Sequence, residues 1–228
     1  MKKNTCLIPF LSLLFLSKIA HTADYNHFYL GGDIGIANLV DKESTPTPAQ
    51  AMHHLGATGL VGGGFAGYDF SIQEHLKLGI EWFMNATNLN ASSYQNYADL
   101  NGNSPVYTAH MKYNLGVRAL PGYAFTPDTI GYAILGYSYG KFNIQDNGNY
   151  GYVSNSIDEN GFQCGAGIRT PLWNHIYLRT DVLYTLYASS QINGISTNSE
   201  GNPGTSLISY TNNFSTLEAD VGFVYKFD

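Results

Sequence analysis

The side chains able to do chemistry in this chain are few, and most of their spacings fail the chemistry they suggest. His53 and His54 form an adjacent pair that, with Asp41 or Glu43, has the donor types of a metal site. The stretch around them is polar and aperiodic, where a solvated pair is the commoner outcome, so no metal or cofactor is expected. Gly62-Gly63-Gly64 is followed by neither a helix pattern nor the Lys-Ser/Thr that completes a phosphate loop. Cys164 is the only cysteine beyond residue 23, so the body of the chain has no partner for a disulfide. There is no Lys/Arg stripe, and net charge is −6, which removes the electrostatic footprint of nucleic-acid binding.

One set of charges does form a pattern. Lys77, Glu81, Lys112, Arg118, Arg169, Arg179, Asp181, Glu218, Asp220 and Lys226 each fall opposite the aliphatic and aromatic residues of their own segment. The segments that carry them alternate with a period of two, as strands do. At the C-terminus Leu217, Ala219, Val221, Phe223, Tyr225 and Phe227 face one way, and Glu218, Asp220, Gly222, Val224 and Lys226 the other. The same alternation is expected at about 26–36, 60–70, 76–84, 106–120, 130–144, 162–169 and 176–187. In the second of these, Asp69 is placed inside. In the fourth, Thr108, His110, Lys112, Asn114 and Arg118 are assigned to the polar face, and His110 to the interior; in the fifth, Lys141 marks the polar face and Phe142 and Ile144 the apolar one. His175 falls in a short turn.

Connections at 37–58, 85–104, 145–158 and 188–213 read as long polar loops rich in Asn, Ser, Gly and Pro, and those at 71–74, 121–127 and 171–175 as short turns. Eight strands with connections alternately long and short form an antiparallel meander whose two ends lie on one side. Charged residues make up 12% of the chain, against roughly a quarter in soluble domains, while Tyr numbers 18, Phe 12 and Gly 25. A transmembrane barrel accounts for both departures, since half its strand residues face hydrocarbon and aromatics gather at its interfaces. Trp82, Tyr107 and Phe142 near the loop ends, with Phe70, Tyr132 and Trp173 near the turn ends, are the expected girdles. A soluble ligand-binding barrel would instead need many charges outside. The charges here are sparse and balanced, as for side chains paired inside a narrow lumen.

Met1-Lys2-Lys3, the apolar run from Leu7 to Leu16 and the small residue Ala23 read as a secretory signal over 1–23, with cleavage after Ala20 as the alternative. The barrel then occupies 24–228. Asp220-Val221-Gly222-Phe223-Val224-Tyr225-Lys226-Phe227 resembles the assembly signal of bacterial outer-membrane proteins, carried by Asp220, Gly222, Tyr225 and Phe227, although Asp228 follows the final aromatic. Residues Phe28 to Gly35 and Gly64 to Phe70 are similar to the first two strands of the OmpA-like and opacity-like surface barrels.

That resemblance implies an all-β, eight-stranded antiparallel up-and-down transmembrane barrel in the outer membrane of a Gram-negative bacterium, with four long extracellular loops and three short periplasmic turns. It implies as partners the membrane lipid, lipopolysaccharide and the barrel assembly machinery, and it leaves the loops to meet host or matrix molecules in a structural, adhesion or surface-antigen role. A narrow porin-like channel is the alternative, although eight strands leave little room for a pore. A lipid-modifying enzyme ranks third: the deacylase arrangement, a His two residues before a Ser, is absent, since Lys112 stands two after His110 and Tyr177 two after His175.

Overall fold

The computed structural model describes residues 26–44, 54–94, 106–148, 151–197 and 203–227. They form β1 (His27–Ser44), β2 (His54–Ser71), β3 (Leu76–Tyr94), β4 (Val106–Ala124), β5 (Ile130–Gly148), β6 (Gly151–Trp173), β7 (Ile176–Tyr187), β8 (Ser190–Thr197) and β9 (Pro203–Lys226). Strands β1 to β7 pair with their sequence neighbours, β7 pairs with β9, and β9 returns to β1 through an antiparallel ladder from Tyr29↔Lys226 to Ser44↔Thr211. Eight strands therefore close a barrel, which is the only way a sheet satisfies every backbone group in lipid. The ninth, β8, is the outer half of a hairpin on β9 and also pairs with β6 at Gly151 and Tyr152.

The alternation of the sequence sets which side faces out. Phe28, Leu30, Ile34, Ile36, Leu60, Trp82, Met84, Val117, Phe162, Val182, Leu186, Val221 and Phe223 are exposed around the wall, while their neighbours Tyr29, Phe65, Glu81, Arg118, Gln163, Arg179, Glu218 and Val224 are buried in the lumen. On β1 the exposed apolar stretch runs from Phe28 to Ile36, a length that matches a tilted strand crossing the hydrocarbon. Glycine at two lumen positions makes room for large rings. A Cβ at Gly31 would lie 2.3 Å from the Phe65 ring, and one at Gly67 would lie 2.5 Å from the Tyr29 hydroxyl.

Strands run well past the apolar stretch, and this corrects several expectations. The span 145–158 is strand on both sides of residues 149–150, and 188–213 contains β8 and the start of β9 rather than a loop. Above the membrane the outer face meets water, so the apolar period disappears although the ladder continues. The lumen there becomes apolar instead: Ala37, Leu39, Ala57, Val61, Leu89, Ala91, Ala109, Met111, Phe142, Ile144, Tyr187 and Phe214 form one buried cluster. Phe142 stacks on Phe214 at 4.4 Å and meets Tyr187 edge-on at 5.0 Å.

The faces expected for β5 are accordingly reversed. Phe142 and Ile144 point inward, whereas Lys141 lies outside beside Asp158 at 3.8 Å. Tyr132 is likewise a lumen residue and not a girdle aromatic, while Trp82, Phe70 and Trp173 do face out; the side chain of Tyr107 lies outside the described residues. In β4 a bulge between Met111 and Tyr113 adds one residue against β5. Everything beyond it changes face. Ala109 and Met111 turn into the lumen, Lys112 is exposed, and His110 faces away from the interior.

Phe142→Ala should thus destabilise the barrel by about 3–5 kcal/mol, the cost of emptying a packed aromatic site. Phe223→Ala, which removes a ring facing lipid, should cost less. Urea titration read by heat-modifiable gel mobility measures both, and equal costs would place Phe142 on the outer wall.

Candidate functional site

The centre of the lumen is built by residues that only closure brings together. Glu81 of β3 accepts a hydrogen bond from Arg118 Nε of β4 at 2.6 Å, from Arg179 Nη1 of β7 at 2.5 Å and from the Tyr29 hydroxyl of β1 at 3.0 Å. Arg179 also binds Asp181 two residues along its own strand, through Nη2 at 2.6 Å and Nε at 2.7 Å. Asp181 accepts in turn from the Tyr132 hydroxyl at 2.6 Å. Aromatic rings floor the guanidinium groups: Arg118 lies 4.4 Å over Phe83, and Arg179 lies 4.3 Å over Phe65. Each charge here is fully buried and pairs with an opposite one, the condition under which burial does not cost several kcal/mol.

Toward the end that carries the short turns, Arg169 pairs with Asp69, and Lys226 stands 3.9 Å from the same carboxylate and 4.2 Å over the Tyr177 ring. Lys77 donates to Ser71 at 2.7 Å. On the other side of the central pairs lies a polar layer. Glu218 accepts from Thr216 at 3.3 Å, and Gln163 donates to Thr185 at 3.2 Å, beside buried Asn85, Asn114 and Ser138. The apolar cluster closes the lumen above that layer.

Nine of the ten charges singled out in the sequence lie in the lumen: Lys77, Glu81, Arg118, Arg169, Arg179, Asp181, Glu218, Asp220 and Lys226. Lys112 does not, because of the bulge. Tyr29, Phe65, Phe83, Tyr132 and Asp69 complete the network and were not among the ten. Their signal was present in the parity of their strands, but aromatic residues there read equally well as lipid-facing.

Of the assembly residues, Asp220 and Gly222 face inward. Tyr225 and Phe227 face out at the turn end, edge-to-face at 4.9 Å, with Phe28 5.5 Å from Phe227. His75 and His175 lie at that same end, against Tyr123 and Tyr225. His53, the side chains of His54 and Glu43, and the expected signal segment 1–23 lie outside the described residues. Among those described, no group of three or more His, Cys, Asp or Glu could hold a metal ion.

A closed antiparallel barrel with an apolar belt outside and paired charges within defines an integral outer-membrane β-barrel. The chain belongs to the outer membrane protein beta-barrel domain family, whose model matches residues 8–227. No curated protein matches it significantly. Among solved structures it is similar to the outer membrane protein OprG from Pseudomonas aeruginosa, with TM-score 0.58, 14% identity and coverage of 89% of this chain and 96% of that one. It is also similar to the outer membrane protease OmpT from Escherichia coli, with TM-score 0.52, 8% identity and coverage of 88% and 97%. Neisserial surface protein A gives TM-score 0.46 at 14% identity, with coverage of 88% and 97%. At these identities the likeness is one of fold. The fold includes a protease among its members, so it does not by itself decide whether a barrel is an enzyme.

Glu81→Ala should cost about 3–5 kcal/mol, because it leaves Arg118 without its acceptor and Arg179 with Asp181 alone inside a dry lumen. The double change Glu81→Leu with Arg118→Met should recover part of that loss. A Glu81→Ala cost under about 1 kcal/mol in urea unfolding would mean that the pairs are solvated.

Proposed function

We propose that this is a non-enzymatic surface barrel which works through its extracellular end, as an adhesion, antigen or envelope-stabilising protein. One observation carries the reading: the lumen is filled along its length by ion pairs, a polar layer and the apolar cluster, so the ends of the strands are what remains to meet a partner. The residues around the ion pairs have the composition of a packed core. The histidines at the turn end are remote from the outer leaflet, and the residue two after His110 is Lys112, not a Ser. A loop-borne role also suits the long connecting segments, which tolerate change without disturbing the wall.

The leader over 1–23 belongs to this proposal, as do recognition of Asp220, Gly222, Tyr225 and Phe227 by the assembly machinery and contact with lipopolysaccharide around the upper belt. Intact mass of the membrane-extracted protein decides between processing at Ala23 and at Ala20.

Two measurements test the reading together. Purified barrel in planar bilayers should give no unitary conductance, and Glu81→Ala should not open one, since the apolar cluster persists above it. Cells displaying the barrel should bind immobilised matrix proteins, and replacing 45–53 and 95–105 by two-residue Asn-Gly turns should abolish that binding while the protein stays in the outer membrane. Steady conductance in the unaltered protein would favour the narrow channel instead. Altered lipid A or phospholipid composition on deletion of the gene would favour an enzyme.

A further inference from the structure

The chain has 11 Lys and Arg, and those beyond residue 23 that avoid the lumen are Lys42, Lys112 and Lys141. Two of these stand together on the outer wall. The bulge of β4 leaves Lys112 between the pairs Met111↔Phe142 and Tyr113↔Lys141. Met111 and Asn114 are buried, whereas Lys112 is exposed and Tyr113 partly so. Two successive residues thus lie outside, both against Lys141, where a regular strand would have sent one of them inward. Like charges side by side across a ladder repel each other. Asp158 lies 3.8 Å from Lys141, but both side chains are partly in water, where such a pair is worth little. Lys112 has no ion pair among the described residues. An anion placed between the two ammonium groups would relieve the repulsion.

What lies beneath the lysines fits a lipid. Outward residues in register across β4, β5 and β6 change character in order along the barrel axis. Val117, Tyr137 and Phe162 make an exposed apolar row within the belt. In the next row Leu115 stands beside Tyr139 and Asn160, and the Tyr137 hydroxyl donates to the Asn160 side chain. The row after that holds Tyr113, Lys141 and Asp158, with Lys112 at its edge. Oil, then phenol and amide, then cation is the complement of an anionic lipid taken from its acyl chains to its headgroup. On β3, by contrast, the outward residues past Met84 are Ala86, Asn88, Asn90 and Ser92, which carry no charge.

We propose that this face of β4, β5 and β6 is a lipid A site, in which Lys112 and Lys141 hold one phosphate of the headgroup and the acyl chains lie along Val117, Tyr137 and Phe162. Lysine meets a phosphate as a point charge, so the pairing of two by the bulge supplies the affinity. The inference rests on the lipopolysaccharide contact and the extracellular end proposed above, and names the residues that make that contact. A soluble sulfated glycan would satisfy the lysines but leave the apolar row beneath them unused.

Native mass spectrometry of the full barrel in detergent micelles, with purified bisphosphorylated lipid A as the probe, tests the assignment. The unaltered protein should retain lipid A, and Lys112→Gln combined with Lys141→Gln should weaken retention at least about tenfold. Arginine at both positions should preserve it, as should Lys42→Gln. All variants should keep heat-modifiable mobility, since the substituted side chains lie on the surface. On the unaltered protein, dephosphorylated lipid A and phosphatidylglycerol should each bind at least about tenfold more weakly. If the double glutamine protein retains lipid A as well as the unaltered one, the lipopolysaccharide contact stands and this face has no part in it. Failure of every form to retain lipid A would overturn both. Equal binding of phosphatidylglycerol, or displacement of lipid A by equimolar sucrose octasulfate, would assign the lysines to other anions and overturn the proposal.

Discussion

Eight strands enclose a lumen that their own side chains must fill, and Glu81 is the group on which that filling turns. It is reached from three other strands at once, by Arg118, Arg179 and Tyr29. Removing it would leave Arg118 buried without its acceptor and Arg179 with Asp181 alone. The rings of Phe65 and Phe83 that support those cations lie against glycines, Gly31 of β1 and Gly116 of β4, where a Cβ would crowd them. Glycine content, aromatic content and sparse charge are thus one requirement, that of packing a narrow cylinder whose outside is oil.

The second constraint changes sign along the axis. Within the membrane the wall is apolar outside and polar inside; beyond it the strands continue into water, and the arrangement inverts to that of a soluble barrel. Phe142, Phe214 and Met111 then close the top as a hydrophobic core would. The bulge at Lys112 is one device by which β4 passes between the two regimes, since a single extra residue exchanges its faces. Strand β3 has an irregularity of its own at Thr87 and Asn88, where its pairing to β2 ends.

The proposed non-channel reading rests on how the lumen is packed. Its centre holds the ion pairs of Glu81, Arg118, Arg179 and Asp181, a polar layer with Glu218 and Gln163 lies beside them, and the upper interior is apolar. Fold likeness to OprG and to the protease OmpT places the chain in an architecture shared by proteins of different kinds, and function in such an architecture belongs to what stands on the barrel. In the function proposed for this chain, that is the end where the strands outlast the apolar belt.

Much of this was legible in the residues themselves. The period of two, the segregation of Glu81, Arg118, Arg169, Arg179 and Asp181 from the aliphatics, and the even number of spanning strands determined a membrane barrel with a charged lumen, because hydrocarbon tolerates no other side for those groups. What the sequence did not determine was where that rule stops applying. Phe142, Ile144 and Tyr132 read as lipid-facing and Lys112 as lumenal, since hydrophobicity says only that a side chain avoids water, and above the membrane the dry place is the inside. Nor could a linear pattern show that Lys112 is a bulge, that β8 pairs back on β9, or that the β2–β3 ladder ends at Val61. These depend on which strand lies alongside which and in what register, and only the closed tertiary structure decides that.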